Sequence, residues 1–283
     1  MKIDINTRMI PLLGNPLEQY RSASIQNKYY EAVKLNFISY NIPFGNEHLK
    51  EIVNGLRYMN IAGFSVVKEN RKNILKYLDD LDHLCRITEL SDTVVKTREG
   101  RLVGYNTESI GFYSAITRQA GIKIEQCVFF CFGSNEEAKA ICSVLACYNA
   151  RKIYITDVHE ESAKNLVEEI NEKVKQVAEF VLYVDRTKLA ACDVVINASG
   201  LGVGSDIGKT PLPKEYMKKE QIYFDICYKP LKTQFLLDAE AKDGRAFNGL
   251  EMLLLGLAAQ IKLWTEEKAN VEVMRKIIFE NIK

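Results

Sequence analysis

CVFFCFGSNEEAKAICSVLACYNARKIYITD, from Cys127 to Asp157, is the stretch that decides the fold. CVFFCFG is an apolar run of buried-strand length, EEAKAICSVLACYNA has the apolar spacing of an amphipathic helix, and KIYITD is a second strand run. Parallel strands joined by a helix form the βαβ unit that opens a doubly wound sheet. The later strand runs AEFVLYVD, ACDVVINAS and QIYFDICY extend this pattern, which predicts a Rossmann-like domain.

The first part of the chain shows a second α/β pattern. Strand-like runs near Phe37 (FISYNIPF), Ile61 (IAGFSVV) and Asp92 (DTVVKTREGRLVGY) alternate with helical segments. The tail from Leu250 to Ile282 is helical in its periodicity. A chain of 283 residues is long for one core, so we expect two domains of α/β class.

The charge balance and hydropathy exclude two classes of partner. The 38 Lys and Arg residues nearly cancel the 37 Asp and Glu residues, so the chain lacks the basic field of a nucleic-acid-binding protein. The longest apolar-rich segment, Met252 to Ile261, is too short for a membrane span, which needs about 20 residues. The first residues lack a signal-peptide pattern, which predicts a cytoplasmic protein.

The cysteines and histidines carry no metal signature. The seven cysteines lie mostly in apolar runs and are expected to be buried free thiols. His48, His83 and His159 are isolated from one another, so no metal site is predicted.

Six segments, in order, carry a resemblance to a known family. They are GNPLEQYRSASIQN from Gly14, GFSVVKENR from Gly63, GYNTESIGF from Gly104, DVVINASGLGV from Asp193, DICYKPLKTQFL from Asp225 and NGLEML from Asn248. The chain resembles the shikimate/quinate dehydrogenase family. The resemblance implies a substrate domain of residues 1–107 plus 248–283, with returning C-terminal helices, a Rossmann-like nucleotide-binding domain of residues 108–247, and a cleft between them.

The resemblance also places substrate-binding residues. Ser22 and Ser24 match the family's Ser-x-Ser pair, although both serines are also suited to cap the helix that follows. Tyr228 matches the substrate tyrosine, and Asp92 stands where the family has Asn. Gly256 stands where the family has a substrate-binding Gln.

The family's catalytic Lys and Asp are both replaced. Arg71 stands at the lysine position and Glu108 at the aspartate position. A guanidinium stays protonated, so Arg71 can bind and polarise a substrate but cannot exchange a proton. Glu108 can pair with Arg71 or act as a base. Lys72 or Lys68 is an alternative source of an amine, and both also fit a solvated turn.

The nucleotide loop departs furthest from the dinucleotide fingerprint. Of its glycines only Gly133 remains, followed by Ser134 and Asn135. Glu136 and Glu137 bring carboxylates to a helix N-terminus that would otherwise receive phosphate. The same residues also spell a capping box, with the serine as cap and the second glutamate returning to it.

Asp157 decides the expected cofactor. A carboxylate at this strand end favours the free ribose hydroxyls of NAD, and Val158 replaces the Arg that would bind the phosphate of NADP. Asp157 is equally suited to cap the following helix. The resemblance adds four residues on the nicotinamide side: Asn197, Ser199, Gly249 and Met252.

Two functions follow from these observations. The first is an NAD-preferring oxidoreductase acting on a small hydroxylated carboxylate that need not be shikimate. The second is a member of the fold that binds no dinucleotide and instead binds a small metabolite or catalyses a non-redox step with Glu108, Lys72 or Glu251. In both, the partner is a small polar or carboxylated metabolite; NADP is a less favoured cofactor, and a homodimer remains open.

Overall fold

The computed structural model describes residues 3–17, 22–183 and 185–282. The chain divides into two compact units, one formed by residues 1–110 and 254–283 and the other by residues 111–253. Each unit contains one six-stranded sheet. The α/β class is therefore confirmed, while the substrate and nucleotide roles assigned to the two segments stay predictions.

The sheet of the first unit is mixed. Its strands are β1 (Arg8–Gly14), β2 (Phe37–Pro43), β3 (Gly63–Val66), β4 (Asp80–Leu81), β5 (Thr93–Lys96) and β6 (Leu102–Tyr105), in the order β2-β1-β3-β5-β6-β4. β1 runs parallel to β2 and β3, β5 runs antiparallel to β3 and β6, and β4 runs parallel to β6. The helices are α1 (Ser22–Ala32), α2 (Leu49–Arg57), α3 (His83–Thr88) and the start of α4 (Thr107–Arg118).

Gly63 lets the C-terminal part of the chain approach this sheet closely. The indole Nε1 of Trp264, which is buried, donates a 2.9 Å hydrogen bond to the carbonyl oxygen of Val94. A Cβ atom on Gly63 would overlap that carbonyl and come within 2.6 Å of the Trp264 nitrogen. Gly63 is therefore needed because no larger residue leaves room for the indole.

The sheet of the second unit is parallel throughout. Its strands are β7 (Val128–Phe132), β8 (Lys152–Thr156), β9 (Ala178–Phe180), β10 (Val194–Asn197), β11 (Ile222–Asp225) and β12 (Arg245–Phe247). Read from one edge, β9-β8-β7-β10-β11-β12 is the 3-2-1-4-5-6 order of the doubly wound dinucleotide fold. The helices of this unit are α5 (Glu136–Cys147), α6 (Glu160–Lys173), α7 (Arg186–Ala190) and α8 (Gln234–Glu240). The helices α9 (Leu250–Thr265) and α10 (Val271–Ile282) follow, and from residue 254 onward they belong to the first unit.

The core of the second unit explains why its opening strand was predictable. Phe129, Phe130 and Phe132 of β7 are almost fully buried, and α5 buries eight of its residues against the sheet. A strand covered on both faces needs a continuous apolar run, which CVFFCFG supplies.

All seven cysteines are free thiols, four of them buried and three half-buried. Over the described ranges, no helix has the length and apolarity needed to cross a membrane. The same residues contain no cluster of three His, Cys, Asp or Glu side chains suited to a metal ion.

Candidate active site

Arg71 and Glu108 form a two-point ion pair in the first unit. Nη1 and Nη2 of Arg71 each donate a 2.7 Å hydrogen bond, one to each carboxylate oxygen of Glu108. The Arg71 side chain is 12% exposed and that of Glu108 is 42% exposed. The pair is thus anchored from the protein side, and its carboxylate remains accessible.

Local structure brings these two residues together. Arg71 follows a 3-10 turn at Lys68–Asn70 that comes directly after β3, and Glu108 is the second residue of α4. Lys72 is exposed, and within the described chain it forms no ion pair with Glu108, whereas Lys68 is half-buried. Of the two cations next to one another in sequence, Arg71 is the one that contacts the carboxylate.

The carboxylate of Asp92 faces the N-terminus of α4. Oδ1 accepts hydrogen bonds from the Thr107 backbone N–H (3.0 Å) and hydroxyl (2.7 Å), and Oδ2 accepts from the backbone N–H of Glu108 (2.7 Å). Asp92 is 4% exposed. The role of Asp92 as a substrate ligand stays a prediction, but its oxygens already satisfy helix donors that would otherwise lack partners.

A chain of polar side chains, all buried except the half-buried Gln260, ends at Asp92, and the sequence did not reveal it. Its members, in order, are Ser39, Gln26, Gln260, Thr93 and Thr107, with successive hydrogen bonds of 2.7, 3.2, 2.9 and 3.0 Å. Gln260 lies one helical turn after Gly256 and therefore on the same face of α9. The signal for Gln260 in the sequence is a glutamine one helical turn from the aligned position.

The Ser-x-Ser pair lies at the start of α1. Ser22 is the first residue of the helix and is half-buried, while Ser24 is its third residue and is exposed. A helix-capping role for Ser24 is wrong because an N-cap precedes the first turn. The neighbouring motif residues 18–21 lie outside the described residues. Substrate binding by Ser22 and Ser24 stays a prediction.

The second unit contains a cleft of about 410 Å³ at the carboxyl ends of its strands. Its lining includes Gly133, Ser134, Asn135, Asp157 and Ser199, five of the predicted cofactor residues. Gly133 has φ +117°, and a Cβ there would lie 2.5 Å from the carbonyl oxygen of Ala198. The first glycine of the loop is therefore required by the close approach of β7 to the end of β10.

The nucleotide loop is capped differently from the predicted capping box. Asn135 is the N-cap of α5: it is extended, with φ −72° and ψ −178°, and its Oδ1 accepts from the Ala138 N–H at 2.9 Å. Its Nδ2 donates to the carbonyl of Ala198 at 2.9 Å. Ser134 as the cap is therefore wrong. Glu136 and Glu137 occupy the first turn of α5 and do not line the cleft.

Asp157 is held in place by two donors. The Ser134 hydroxyl donates to Oδ2 at 2.8 Å, and the His159 backbone N–H donates to Oδ1 at 2.9 Å. The N-cap of α6 is His159, so capping of that helix by Asp157 is wrong. Beside it, the Thr156 hydroxyl is buried against the cleft with no hydrogen-bond partner in the described part of the chain.

Asn197 and Ser199 belong to a polar turn at the end of β10. Asn197 Oδ1 accepts from the Ser199 hydroxyl at 2.7 Å, and Nδ2 donates to Asp225 Oδ2 at 3.0 Å. Burial raises the pKa of the Asp225 carboxyl, while hydrogen bonds from Thr233, from the backbone N–H of Cys227 and from Asn197 act in the opposite direction. Ser199 lines the cleft, whereas Asn197 does not and instead holds the turn through its hydrogen bonds.

The remaining predicted residues lie outside the cleft lining. Gly249 packs against the backbone of Ile226, where no Cβ would fit, and its N–H donates to the carbonyl of Cys227 at 2.9 Å. Tyr228 is 38% exposed, and Met252 and Glu251 are half-buried in the first turn of α9. Cofactor binding by Gly249 and Met252 and substrate binding by Tyr228 stay predictions.

Comparisons with known proteins agree with the fold and the motifs. A family model described as "Shikimate dehydrogenase substrate binding domain" matches residues 12–94. A shikimate dehydrogenase (NADP(+)) of Methanococcus maripaludis is 32% identical over 282 residues, which are 99% of this chain and 100% of the relative. A Listeria monocytogenes shikimate 5-dehydrogenase solved with shikimate and NAD is 30% identical, with a TM-score of 0.92 and 99% of each chain covered. A shikimate dehydrogenase solved with NADP+ is 29% identical, with a TM-score of 0.90 and coverage of 100% and 98%. The chain belongs to the shikimate dehydrogenase family.

Proposed function

We propose that the protein is an NAD-preferring oxidoreductase that acts on a small hydroxylated carboxylate. The observation that carries the proposal is the Asp157 carboxylate at the cleft of the second unit, followed by Val158, which is 77% exposed. No Lys or Arg is among the described residues that line this cleft. A carboxylate without a neighbouring cation suits a ribose diol and disfavours a 2′-phosphate.

The residues of the cleft fit a dinucleotide in three respects. The volume of about 410 Å³ is within the ordinary range of small-molecule sites. Gly133 brings its backbone close to the end of β10. Asp157 would accept from the ribose hydroxyls, with Ser134 and His159 keeping its carboxylate oriented. A bound nicotinamide would supply the acceptor or donor of a hydride.

The Arg71–Glu108 pair accounts for the proton in such a reaction. Oxidation of an alcohol releases the hydroxyl proton, and the guanidinium of Arg71 has no lone pair to receive it. Glu108 has carboxylate oxygens that can, and they are accessible. We assign Arg71 to binding and orientation, of Glu108 and of an anionic or hydroxyl substrate group, and Glu108 to proton transfer.

The relatives support the use of a nicotinamide cofactor, but they differ in whether that cofactor is NAD or NADP. The Methanococcus relative is named as NADP(+)-dependent, and the Listeria relative was solved with NAD and shikimate. Family membership therefore supports the redox reaction, while the preference for NAD rests on Asp157 and Val158. Shikimate and quinate are the first substrates to try because they are small hydroxylated carboxylates.

A calorimetric titration with NAD, NADH, NADP and NADPH tests the proposal. We expect NADH to bind about fivefold or more tightly than NADPH, because a carboxylate about 4 Å from a phosphate is repelled by roughly 1 kcal/mol even in water. Absence of binding at millimolar concentration of all four would refute the oxidoreductase and leave the non-redox alternative. Tighter binding of NADPH would refute the role given to Asp157.

A further inference from the structure

Asp92 and its neighbour Ser91 hold the backbones of both members of the ion pair. Asp92 Oδ2 accepts the N–H of Glu108 at 2.7 Å, and the N–H of Ser91 donates to the carbonyl of Arg71 at 3.0 Å. Two consecutive residues thus fix the two chain segments from which the paired side chains project.

Asp92 is itself fixed in the sheet. Its carbonyl accepts the N–H of Val66 at 2.9 Å, and its N–H donates to the carbonyl of Tyr105 at 3.2 Å. The backbone of Asp92 is therefore bonded both to β3, which leads to Arg71, and to β6, which leads to Glu108. Rigid secondary structure supports the carboxylate, as a precisely held site requires.

In the polar chain that ends at Asp92, every hydrogen bond runs from donor to acceptor in the same direction along the chain. The Thr107 hydroxyl donates to Asp92, so in its contact with Thr93 it must accept, and Thr93 must donate. Thr93 in turn accepts from Gln260. Each donor points toward Asp92, which receives three hydrogen bonds and has no donor to offer a ligand.

We propose that Asp92 is a positioning residue that sets Glu108 against Arg71. Calling the pair catalytic rests on the proposed function, whereas the positioning of Glu108 by Asp92 does not. In Asp92→Asn, one amide oxygen can keep the Thr107 bonds, but the amide nitrogen then faces the N–H of Glu108. Two donors cannot bond, so the N–H of Glu108 loses its acceptor and the start of α4 is no longer held to Asp92.

A three-way mutant cycle tests the positioning without any activity assay. The coupling between Arg71→Met and Glu108→Gln is measured from urea unfolding, in the wild-type and Asp92→Asn backgrounds. Trp264, the only tryptophan of the chain, is buried in the first unit and reports its unfolding by fluorescence. We expect a coupling of about fivefold in the unfolding constant of the wild type, falling to less than about twofold with Asp92→Asn.

Asp82→Asn is the matched control background. Asp82 caps α3 in the same unit through the backbone N–H groups of Leu84 and Cys85, so its loss also removes a helix cap. It should lower stability while the Arg71–Glu108 coupling stays about fivefold. An unchanged coupling with Asp92→Asn, or an equal loss with Asp82→Asn, would overturn the proposal. If Asp92→Asn does not fold, Asp92→Ser, which retains one capping oxygen, takes its place with the same expected loss of coupling.

Discussion

Arg71 binds Glu108 through two parallel hydrogen bonds of 2.7 Å, so the cation and the accessible carboxylate act as one unit. This geometry depends on the planar fork of a guanidinium, which an ammonium cannot reproduce. The pair therefore holds Glu108 more rigidly than a lysine at residue 71 would.

Replacing Arg71 by lysine should raise residual oxidation of shikimate. Lysine keeps the positive charge and adds a group that can exchange a proton, and general acid–base catalysis contributes at least about a hundredfold in many enzymes. We expect a gain of about tenfold in initial rate, smaller because the two-point bond to Glu108 is lost. The rate is measured from NADH absorbance. Arg57→Lys, in a separate pair with Asp79, is the control and should leave the rate unchanged.

The outcome in which Arg71→Lys does not raise the rate of shikimate oxidation can also be interpreted. If nucleotide binding is intact, the result would show either that shikimate is not a substrate or that residue 71 does not contact the reacting group. Repeating the assay with quinate separates these two explanations.

The nucleotide preference should reverse when the charge at the end of β8 is reversed. The double variant Asp157→Ser, Val158→Arg removes the carboxylate and adds a phosphate-binding cation. We expect NADPH to bind about tenfold more tightly and NADH to bind more weakly, measured by calorimetry. Leu182→Arg adds the same charge at an exposed residue outside the cleft lining and should change neither affinity. An unaltered ratio in the double variant would contradict the assignment of the ribose site.

Asn135 should contribute to stability as the cap of α5. Asn135→Ala removes the cap of α5 and the bond to Ala198, and we expect a loss of about 1 kcal/mol in the free energy of unfolding. Asn135→Ser retains a capping oxygen and should lose less. Unfolding is followed by far-ultraviolet circular dichroism in urea. Equal stability of the alanine and serine variants would contradict the capping role.

Low pH should lower the stability of the first unit, in part because Asp79 becomes protonated. The hydrogen bond from Arg57, and then the backbone N–H of Leu102, hold the pKa of Asp79 below its usual value of 3.8. A lowered carboxyl pKa stabilises the fold above the unfolded pKa, and this stability is lost as the pH falls through the folded pKa. Asp79→Asn should therefore be less stable than wild type at pH 6, by less than about 1 kcal/mol because the pair is partly exposed.

The Asp79 difference should begin to shrink below pH 3.8, the unfolded pKa, and disappear only below the lower folded pKa. Trp264 fluorescence in urea at pH 6, 5, 4 and 3 measures it. A difference that stays constant across this series would show that Asp79 acts through packing and not through its charge.

Two glycines in the first unit should respond oppositely to alanine. Gly63→Ala forces a methyl group into the carbonyl of Val94 beside Trp264, and we expect a loss of more than about 3 kcal/mol or failure to fold. Gly55 lies on the exposed side of α2 with no atom near its missing Cβ, so Gly55→Ala should gain about 0.5–1 kcal/mol from helix propensity. Thermal unfolding of both variants measures the contrast.

The sequence predicted the strands and helices that have a clear hydrophobic pattern. β7, α5 and β8 follow from apolar runs of the correct length, and the register of the motifs placed Arg71 opposite Glu108. β1 was missed because Pro11 interrupts its apolar run, although the strand lies between β2 and β3. β12 was missed because a three-residue strand carries too little pattern to recognise.

The finer features of the site depended on backbone geometry. Ser134 and Asn135 are both good helix caps, so composition cannot decide between them, and only the extended conformation of Asn135 does. The hydrogen bonds of Asp92 and of Gln260 were hidden for a related reason. The hydrogen bonds of Asp92 and Gln260 join residues far apart in the chain, and no local spacing reports them.

The division of the first unit into residues 1–110 and 254–283 has a consequence for synthesis on the ribosome. Gln260 and Trp264, which bond to Thr93 and Val94, are translated only after all of residues 111–253. The contiguous unit can complete its core while the chain is still being made, since domains generally fold as they emerge. The unit that carries Arg71 and Glu108 must wait for residues 254–283, with Thr93 and Val94 still lacking their bonds to Gln260 and Trp264. Nascent chains arrested before residue 254 should therefore bind chaperones through the early segment.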